Sequence, residues 1–373
     1  MDVNKPSAHA ERSAVRADKR RGKLKIFLGY AAGVGKTYQM LTEAQELKLE
    51  GVDVVIGYFE PHGRAETIAQ TAGLEFIPRR VYEHRGAKFE DMDTDAVIAR
   101  HPRVAAVDEF AHTNVPGAER LKRWQDVMVI LDAGIDVLTS LNIQHIESLN
   151  DQVWHVTGVR VRETVPDWVV QEADEVVMVD VTPRALLHRL ERGVVYAPDK
   201  AQKALENFFT ESNLTALREL ALRQTAHQLE ERREDLRLPQ PVRALGSDRE
   251  EAILISLTPH PSTAMLIRRG RRVADYLNSS CTAVFVSRDA AMSDLSPEER
   301  AAIDRHINFC RNMQIESEVI HSPEPAKAVS EWARAHGITQ IFVTRDAPDV
   351  RKLVHLARDM QVTIVAERVR HTA

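Results

Sequence analysis

The stretch that decides the fold is "KIFLGYAAGVGKTYQML", residues 25–41, where an apolar run breaks into small residues before a helical pattern resumes. A strand that turns through glycines into a helix directs several backbone N–H groups at one point, and the helix dipole adds positive potential there. The pattern predicts a phosphate-binding loop. We expect Lys36 to reach the terminal phosphates of a bound polyphosphate and Thr37 to ligate Mg²⁺.

This loop departs by one residue from the strict pattern G-x-x-x-x-G-K-[ST]. Tyr30 occupies the position of the first glycine, and Gly29 lies one residue earlier. Gly33 and Gly35 still bracket Val34, so we interpret the loop as one residue longer, with these three residues against the phosphates. The alternative is a glycine-rich turn that binds nothing.

A second motif supports nucleotide binding. In "RVAAVDEFAHTN", residues 103–114, an apolar strand ends in Asp108 and Glu109, about 70 residues after Lys36. In nucleotide hydrolases with a phosphate loop, an acid at this strand end holds Mg²⁺ and an adjacent Glu activates the attacking water. We therefore expect ATP and Mg²⁺ as cofactors, with Asp108 at the metal and Glu109 as the general base. For Glu109 the alternative is a solvated strand end.

Polar residues also follow the second and fourth predicted strands. They are Glu60, His62, Arg64, Asn142, Gln144 and His145. Because ligands of open parallel sheets bind at the carboxyl ends of the strands, these side chains are candidate sensor or substrate contacts. Ordinary loop hydrogen bonds are the alternative. The histidines show no ligand-like pairing such as HxxxH, which argues against a metal site.

Composition and patterning predict an α/β protein with two domains. The chain of 373 residues is too long for one ordinary domain, and 43% hydrophobic with 28% charged residues is typical of a soluble globular protein. Near-continuous apolar strands from residue 24 to about 222 predict a parallel sheet covered on both faces, as in P-loop NTPases. Five strands and four helices after residue 251 predict a smaller doubly wound domain.

The predicted boundaries follow charge and composition. Residues 1–23 are a basic leader that we expect to be disordered, because residues 1–25 carry eight Lys/Arg against three Asp/Glu. Residues 24–227 form the nucleotide-binding domain, residues 228–250 a helix end and linker, and residues 251–373 the smaller domain. We expect no sequence-specific nucleic-acid binding, despite the basic leader.

Cysteine use and hydropathy predict a cytoplasmic chain. The two cysteines, Cys281 and Cys310, form no CxxC pair, and no secretory leader is present. No window approaches 18 consecutive apolar residues, so we expect no membrane span.

Several collinear stretches resemble one known family. They are "EPHGRAET", "VDEFAHTNVPG", "KRWQDV", "LDAGIDVLTSLNIQHIESLND", "GVRVRETVPD" and "NLTALRELALRQTA". Together with the loop they look like the cytoplasmic N-terminal region of Kdp-type potassium and osmotic sensor kinases (KdpD), from residue 24 to about 230. That family's own loop carries the same extra residue. The second segment resembles the universal-stress-protein-like domain that follows in the same family.

The resemblance implies ATP binding and control of a high-affinity potassium pump through a histidine kinase and response regulator. The transmembrane, phosphoacceptor and kinase parts of those sensors are missing from this sequence, so we expect a stand-alone short form rather than the input half of a longer protein. Two functions stay open. One is a nucleotide-responsive regulatory module that hydrolyses ATP slowly or not at all; the other is a P-loop kinase or NTPase acting on a small molecule.

The second segment lacks the features that bind ATP in universal stress proteins. Those that do carry G-x-x-G-x9-G-[ST], whereas no glycine follows Gly337 here. Some Kdp-type sensors instead bind cyclic di-AMP in this domain. By that resemblance the hydroxyls of Ser256, Thr258 and Thr282 are expected at strand ends, although Cys281 replaces the expected aromatic residue. A domain that only packs or mediates dimerisation is the favoured alternative.

Overall fold

The computed structural model describes residues 20–193, 208–235 and 251–365, apart from the single positions 278, 290, 291, 294, 346 and 348. The chain divides into two compact units. The first comprises Met1–Val165 with Val169–Arg232, and the second comprises Pro166–Trp168 with Arg233–Ala373.

Parallel strands form the centre of the first unit. Its strands are β1 (Leu24–Gly29), β2 (Val54–Tyr58), β3 (Glu75–Phe76), β4 (Arg80–His84), β5 (Ala87–Asp91), β6 (Val104–Val107), β7 (Asp136–Asn142) and β8 (Glu175–Val179). Six of them make a parallel sheet in the order β3-β2-β6-β7-β1-β8, while β4 and β5 pair as a separate antiparallel hairpin. The central strands are apolar and buried, as a sheet covered on both faces requires.

The helices of this unit connect the strands. They are α1 (Lys36–Leu49), α2 (Ala65–Ala69), α3 (Thr94–Arg100), α4 (Arg123–Asp132), α5 (Asn150–Thr157), α6 (Asp167–Gln171), α7 (Pro183–Glu191) and α8 (Glu211–Asp235). The first two residues of α6 and the last three of α8 are assigned to the second unit. Short 3-10 turns over Ile143–His145 and Glu147–Leu149 lie between β7 and α5. Thr182 starts α7 by accepting a hydrogen bond from the N–H of Ala185, with Pro183 at the first helical position.

The strand order determines which chain segments meet at the edge of the sheet. Strand β7 lies between β1 and β6, with Gly29 opposite Asn142 and Val107 opposite Thr139. All three strands run in the same direction, so the segments that follow them converge. These are the segments in which the sequence places its candidate site residues.

The second unit is a smaller parallel sheet. Its strands are β9 (Ala252–Leu257), β10 (Ser280–Ser287), β11 (Glu316–His321), β12 (Gln340–Thr344) and β13 (Gln361–Val365), in the order β11-β10-β9-β12-β13. Its helices are α9 (Thr263–Leu277), α10 (Pro297–Asn312), α11 (Pro325–Ala335) and α12 (Val350–Leu356). One apolar cluster centres on Ile255 and Phe342 and another on Leu254 and Val343, so the sheet is covered on both faces.

The predicted fold class is confirmed, and its five strands with four helices appear in the second unit. The β4–β5 hairpin was not predicted, because its exposed, charged sequence lacks an apolar face. Helix α8 continues past residue 227, where the sequence places a domain boundary. The predicted linker after residue 235 and the leader up to residue 19 lie outside the described residues. Gly22 already donates to the carbonyl of Leu131 at 2.8 Å.

Candidate functional site

The glycine-rich loop joins the end of β1 to the first residue of α1. Gly33 has φ 89° and Gly35 has φ 107°, in the left-handed region that glycine adopts without strain. The turn therefore depends on glycine at both positions. The free N–H groups of the first turn of α1 follow directly, so this segment can receive an anion.

Gly29 accounts for the longer spacing of the motif. A Cβ at this position would lie 2.6 Å from Cγ2 of Val34 and 2.8 Å from Cδ of Lys36. The Lys36 side chain therefore runs back across the end of β1, close against its backbone. The glycine one residue before Tyr30 leaves the room for that path.

Lys36 carries a buried ammonium group. Its side chain is 8% exposed, and Nζ donates to the loop carbonyl of Ala31 at 3.3 Å. Burial lowers the pKa of Lys36 to about 8, against the opposing effect of the Glu109 and Asp108 charges. Among the described residues no carboxylate forms an ion pair with Lys36. A buried cation in this state favours an anionic partner.

Asp108 follows β6 and is fully buried. Thr37 Oγ1 donates to its two carboxylate oxygens at 3.1 and 3.2 Å, and Ser140 Oγ donates to Oδ1 at 2.5 Å. Burial raises the pKa of Asp108, and the neighbouring Glu109 charge adds to this, whereas the bonds from Ser140 and Thr37 act in the opposite direction. The structure thus brings together the two residues expected at Mg²⁺.

Glu109 is paired with a histidine. Its backbone has φ 58°, and its Oε1 lies 3.1 Å from Nε2 of His62, which follows β2. The bond to His62, together with the Lys36 charge, lowers the pKa of Glu109 to about 2. The same bond raises the pKa of His62. The expected general base is therefore an ionised carboxylate held by the His62 side chain.

The 3-10 turn after β7 contributes hydrogen-bond acceptors. Nδ1 of His145 lies 2.7 Å from the carbonyl of Glu163, so this nitrogen is the donor and Nε2 of the neutral ring is left as an acceptor. Burial lowers the pKa of His145, which favours that neutral form. Asn142 Oδ1 and Gln144 Oε1 are buried and have no hydrogen-bond partner among the described residues.

Two cavities adjoin the loop. The Glu109 cavity, about 210 Å³, is lined by residues that include Lys36, His62, Glu109, Asn142, Gln144 and His145. The α1 cavity, about 740 Å³, lies along the loop and the start of α1, and its lining includes Gly33, Val34, Gly35, Tyr38 and Arg189. Thr37 and Arg64 line both cavities. The larger cavity has the volume of a typical small-molecule site, whereas the smaller one is below that range.

Glu60 behaves differently from the other candidate residues. Its Oε2 accepts from the hydroxyl of Tyr58 at 3.1 Å and lies 3.5 Å from Nη2 of Arg79. It lines neither cavity. The structure therefore does not bring Glu60 together with the other candidate residues.

Two arginines at the site were not found from the sequence. Arg189 of α7 donates to the carbonyls of Gly33 and Val34 at 3.2 and 3.4 Å, and so fixes the outer side of the loop. Its position is 156 residues from Gly33, and no local motif marks it. Arg123, the first residue of α4, donates to the backbone carbonyl of Asp108 at 3.2 Å. It lies in the stretch "KRWQDV", whose family resemblance implies no role for this residue.

Arg123 belongs to a buried ion pair. Its side chain is fully buried, its Nη2 lies 2.5 Å from Oδ1 of Asp91, and its guanidinium carbon lies 3.6 Å from the centre of the Tyr58 ring. Asp91 also accepts from the N–H groups of Met92 and Val115 at 2.8 and 3.0 Å. Removing either charge would leave the other buried and unpaired, which typically costs about 3–5 kcal/mol.

In the second unit the three predicted hydroxyls are not brought together. Ser256 lies near the carboxyl end of β9, and Thr258 follows that strand with its Oγ1 2.8 Å from Oγ1 of Thr263. Thr282 is also near a strand end, but at the amino end of β10, opposite Leu254. Because Thr282 pairs with Leu254, it is about four residues, or about 13 Å, from the level of Thr258.

Comparison with known families gives one match over more than half of the chain. Residues 20–229 match the family model KdpD, described as "Osmosensitive K+ channel His kinase sensor domain". Among the described residues, no helix combines the length and the apolar character needed to cross a membrane.

Similar proteins extend the match. The putative sensor protein KdpD of Synechocystis sp. is 48% identical over 328 residues, which cover 87% of this chain and 86% of that protein. The sensor protein KdpD of Escherichia coli is 41% identical over 354 residues, or 93% of this chain and 39% of that protein. This chain therefore spans about two fifths of the E. coli relative.

A universal stress protein from Archaeoglobus fulgidus covers 31% of this chain and 93% of its own, with 12% identity and a TM-score of 0.27. A universal stress protein solved in complex with cAMP covers 32% of this chain and 98% of its own, with 12% identity and a TM-score of 0.26.

Proposed function

The chain belongs to the KdpD family of two-component sensor proteins, and from that premise we propose that it is a regulatory module that binds ATP with Mg²⁺. In this proposal its nucleotide state carries potassium or osmotic information to a histidine kinase, whose response regulator controls the Kdp potassium pump. The module acts in the cytoplasm. It hydrolyses ATP slowly or not at all, because its signal is the bound state.

The observation that carries the proposal is the buried ammonium of Lys36. It lies beside a loop whose two glycines adopt left-handed conformations, and no carboxylate among the described residues pairs with it. A polyphosphate supplies the missing negative charge, and the N–H groups at the start of α1 add donors. The residues present therefore fit the anion.

The proposed Mg²⁺ site rests on a second pair of residues, Thr37 and Asp108. Thr37 and Asp108 already contact each other, so a hydroxyl and a carboxylate are in place for the Mg²⁺ that accompanies ATP. The bound ion would neutralise phosphate charge. Ser140 fixes the Asp108 carboxylate from the other side, and Arg189 holds the loop carbonyls of Gly33 and Val34.

Calorimetric titration of the full chain with ATP, in the presence and absence of Mg²⁺, tests the proposal. We expect one site per chain with tighter binding when Mg²⁺ is present. A turnover assay on the same preparation should give a slow rate. Absence of ATP binding under both conditions would contradict the proposal.

The Glu109 cavity favours a second candidate, a kinase or NTPase acting on a small molecule. The free amide oxygens of Asn142 and Gln144, with the Glu109 carboxylate, could hold a hydroxyl-bearing acceptor beside the loop. Rapid ATP consumption that depends on an added acceptor would favour this enzyme over the regulatory module. Slow turnover that acceptors do not change would favour the module.

A further inference from the structure

A third cavity lies in the first unit, away from the glycine-rich loop. We call it the hairpin cavity; it measures about 200 Å³ and shares no lining residue with the Glu109 cavity or the α1 cavity. It is enclosed by the β4–β5 hairpin, the start of α3, and the loop that precedes α4. Its charged lining residues are Arg80, Asp91, Asp95, Glu119, Arg120 and Asp126. Carboxylates outnumber guanidinium groups by four to two.

Asn114 leaves an unsatisfied acceptor in this lining. The residue is 8% exposed, and its Nδ2 donates to the carbonyl of Arg120 at 3.0 Å and to Oδ2 of Asp126 at 2.5 Å. Its Oδ1 is buried and has no hydrogen-bond partner among the described residues. Buried amide oxygens are normally paired. A donor from outside the chain would complete this one.

The carboxylates behind Asn114 are also buried. Asp91 is 2% exposed and Asp126 is 5% exposed, and Asp126 shares one cation, Arg120, with the exposed Glu119. Arg123 pairs with Asp91 and Arg120 with Asp126, so Glu119 leaves one carboxylate in excess around Asn114. A ligand that carries both positive charge and N–H donors satisfies the two requirements together.

The volume of the cavity and the placement of its side chains narrow the class of ligand further. Among the described residues, no three His, Cys, Asp or Glu side chains are placed to hold a metal ion, so a polyatomic cation fits better than a bare one. A cavity of about 150 Å³ accommodates benzene, and this one is somewhat larger. We propose that the hairpin cavity binds a small organic cation of the ammonium or guanidinium class.

A ligand in this cavity would affect the candidate nucleotide site through one ion pair, Asp91 with Arg123. Asp91 lines the cavity and also binds Arg123 at 2.5 Å, and Arg123 donates to the backbone carbonyl of Asp108 at 3.2 Å. A ligand cation competes with Arg123 for the Asp91 carboxylate. The resulting shift of Arg123 changes the support of Asp108, so cation binding and nucleotide binding are coupled, each changing the affinity for the other.

Calorimetric titration of the full chain with agmatine and with 1,4-diaminobutane tests the site directly, without nucleotide. Both cations should bind with a dissociation constant of about 1 mM or lower. Neutral 1,4-butanediol, matched in length to the diamine, should bind at least tenfold more weakly. No heat from either cation, or equal binding of the diol, would overturn the proposal.

Variants locate the binding. Asn114→Ala removes the free amide oxygen and should weaken agmatine binding at least tenfold. Glu119→Gln removes a charge from the exposed rim and should weaken binding severalfold. Glu83→Gln, on the same hairpin but outside the lining, is the control and should leave binding unchanged. Unchanged binding in both Asn114→Ala and Glu119→Gln would exclude this cavity.

The coupling rests on the proposed ATP binding, whereas the cation site does not. ATP affinity measured with saturating agmatine should differ at least threefold from its value without agmatine, and 1,4-butanediol should have no such effect. Agmatine binding without a change in ATP affinity would overturn the coupling through Arg123. A chain that binds agmatine but no ATP would contradict the proposed function while supporting the cation site.

Discussion

The hydroxyl of Thr37 donates to both oxygens of the Asp108 carboxylate, although the two residues are 71 positions apart in the chain. Thr37 is the second residue of α1 and Asp108 follows β6, and β7 lies between β1 and β6 in the sheet. Ser140 of β7 bonds the same carboxylate, so three chain segments meet at one buried acid. The two motifs found in the sequence thus form one site.

Gly29→Ala should disrupt the path of Lys36. The added Cβ would lie 2.6 Å from Val34 and 2.8 Å from Lys36, so both side chains must move. We expect a loss of about 1–3 kcal/mol in the free energy of unfolding, measured in urea, together with weaker ATP binding. Unchanged stability and unchanged affinity would show that the loop tolerates a side chain there.

Lys36→Ala should lower ATP affinity at least tenfold while the fold is retained, because it removes the buried ammonium expected at the terminal phosphates. Calorimetry gives the affinity, and circular dichroism checks the fold. Lys48→Ala, an exposed lysine in the last turn of the same helix, is the matched control and should bind ATP normally. Equal affinity in both variants would remove the loop from the nucleotide site.

Substitutions of the neighbouring acids Asp108 and Glu109 should separate the Mg²⁺ dependence of ATP binding from ATP hydrolysis. Asp108→Asn keeps the shape of the buried side chain but removes its charge, so the gain in ATP affinity on adding Mg²⁺ should shrink. Glu109→Gln should leave binding nearly intact and suppress whatever hydrolysis the parent shows. Titrations with and without EDTA and a phosphate-release assay measure the two effects. A Glu109→Gln variant as fast as the parent would exclude the general-base role.

The His62–Glu109 pair should give a pH-dependent contribution to stability. The bond lowers the pKa of Glu109 to about 2 from 4.5, so its contribution is present above pH 4.5 and is lost as the pH falls towards 2. The bond raises the pKa of His62 above 6.5, so that contribution is present below pH 6.5 and is lost as the pH rises through the folded-state pKa.

The difference in melting temperature between the parent and His62→Ala should therefore be largest between pH 4.5 and 6.5. It should decrease on either side of that window. The pair is partly exposed, so the difference should be small and should shrink further in high salt. A difference that stays constant with pH would show that the ion pair does not stabilise the fold.

Cyclic di-AMP binding to the second unit stays a prediction, and the position of Thr282 near the amino end of β10 argues against a shared site with Thr258. We expect no heat on titrating the full chain with cyclic di-AMP. Micromolar binding that Thr282→Val abolishes would instead support a second-messenger receptor.

Local signals made part of this site predictable. The loop and Asp108 are recognisable because strand, glycines and acid are close in the chain. For Glu60 the sequence gives the correct strand end, but the contact of its carboxylate with Arg79 depends on a segment 19 residues later. Position after a strand therefore indicates a candidate residue without fixing the direction of its side chain.

The features that the sequence did not reveal depend on contacts between residues far apart in the chain. Arg123 shows an ordinary helix-start pattern, and only the folded chain places it between Asp91 and the carbonyl of Asp108. The apolar run suggests that β10 begins at Thr282, whereas pairing with β9 extends the strand back to Ser280. Tertiary pairing, which local patterns do not encode, decides both cases.

The contact of Arg189 with the glycine-rich loop has a consequence for how the chain folds during its synthesis. Gly33 leaves the ribosome 156 residues before Arg189, so the loop is synthesised long before the side chain that holds its carbonyls. A nascent chain that ends before α7 has the complete motif without this support. The loop therefore gains this support only late in synthesis, when most of the first unit has already emerged.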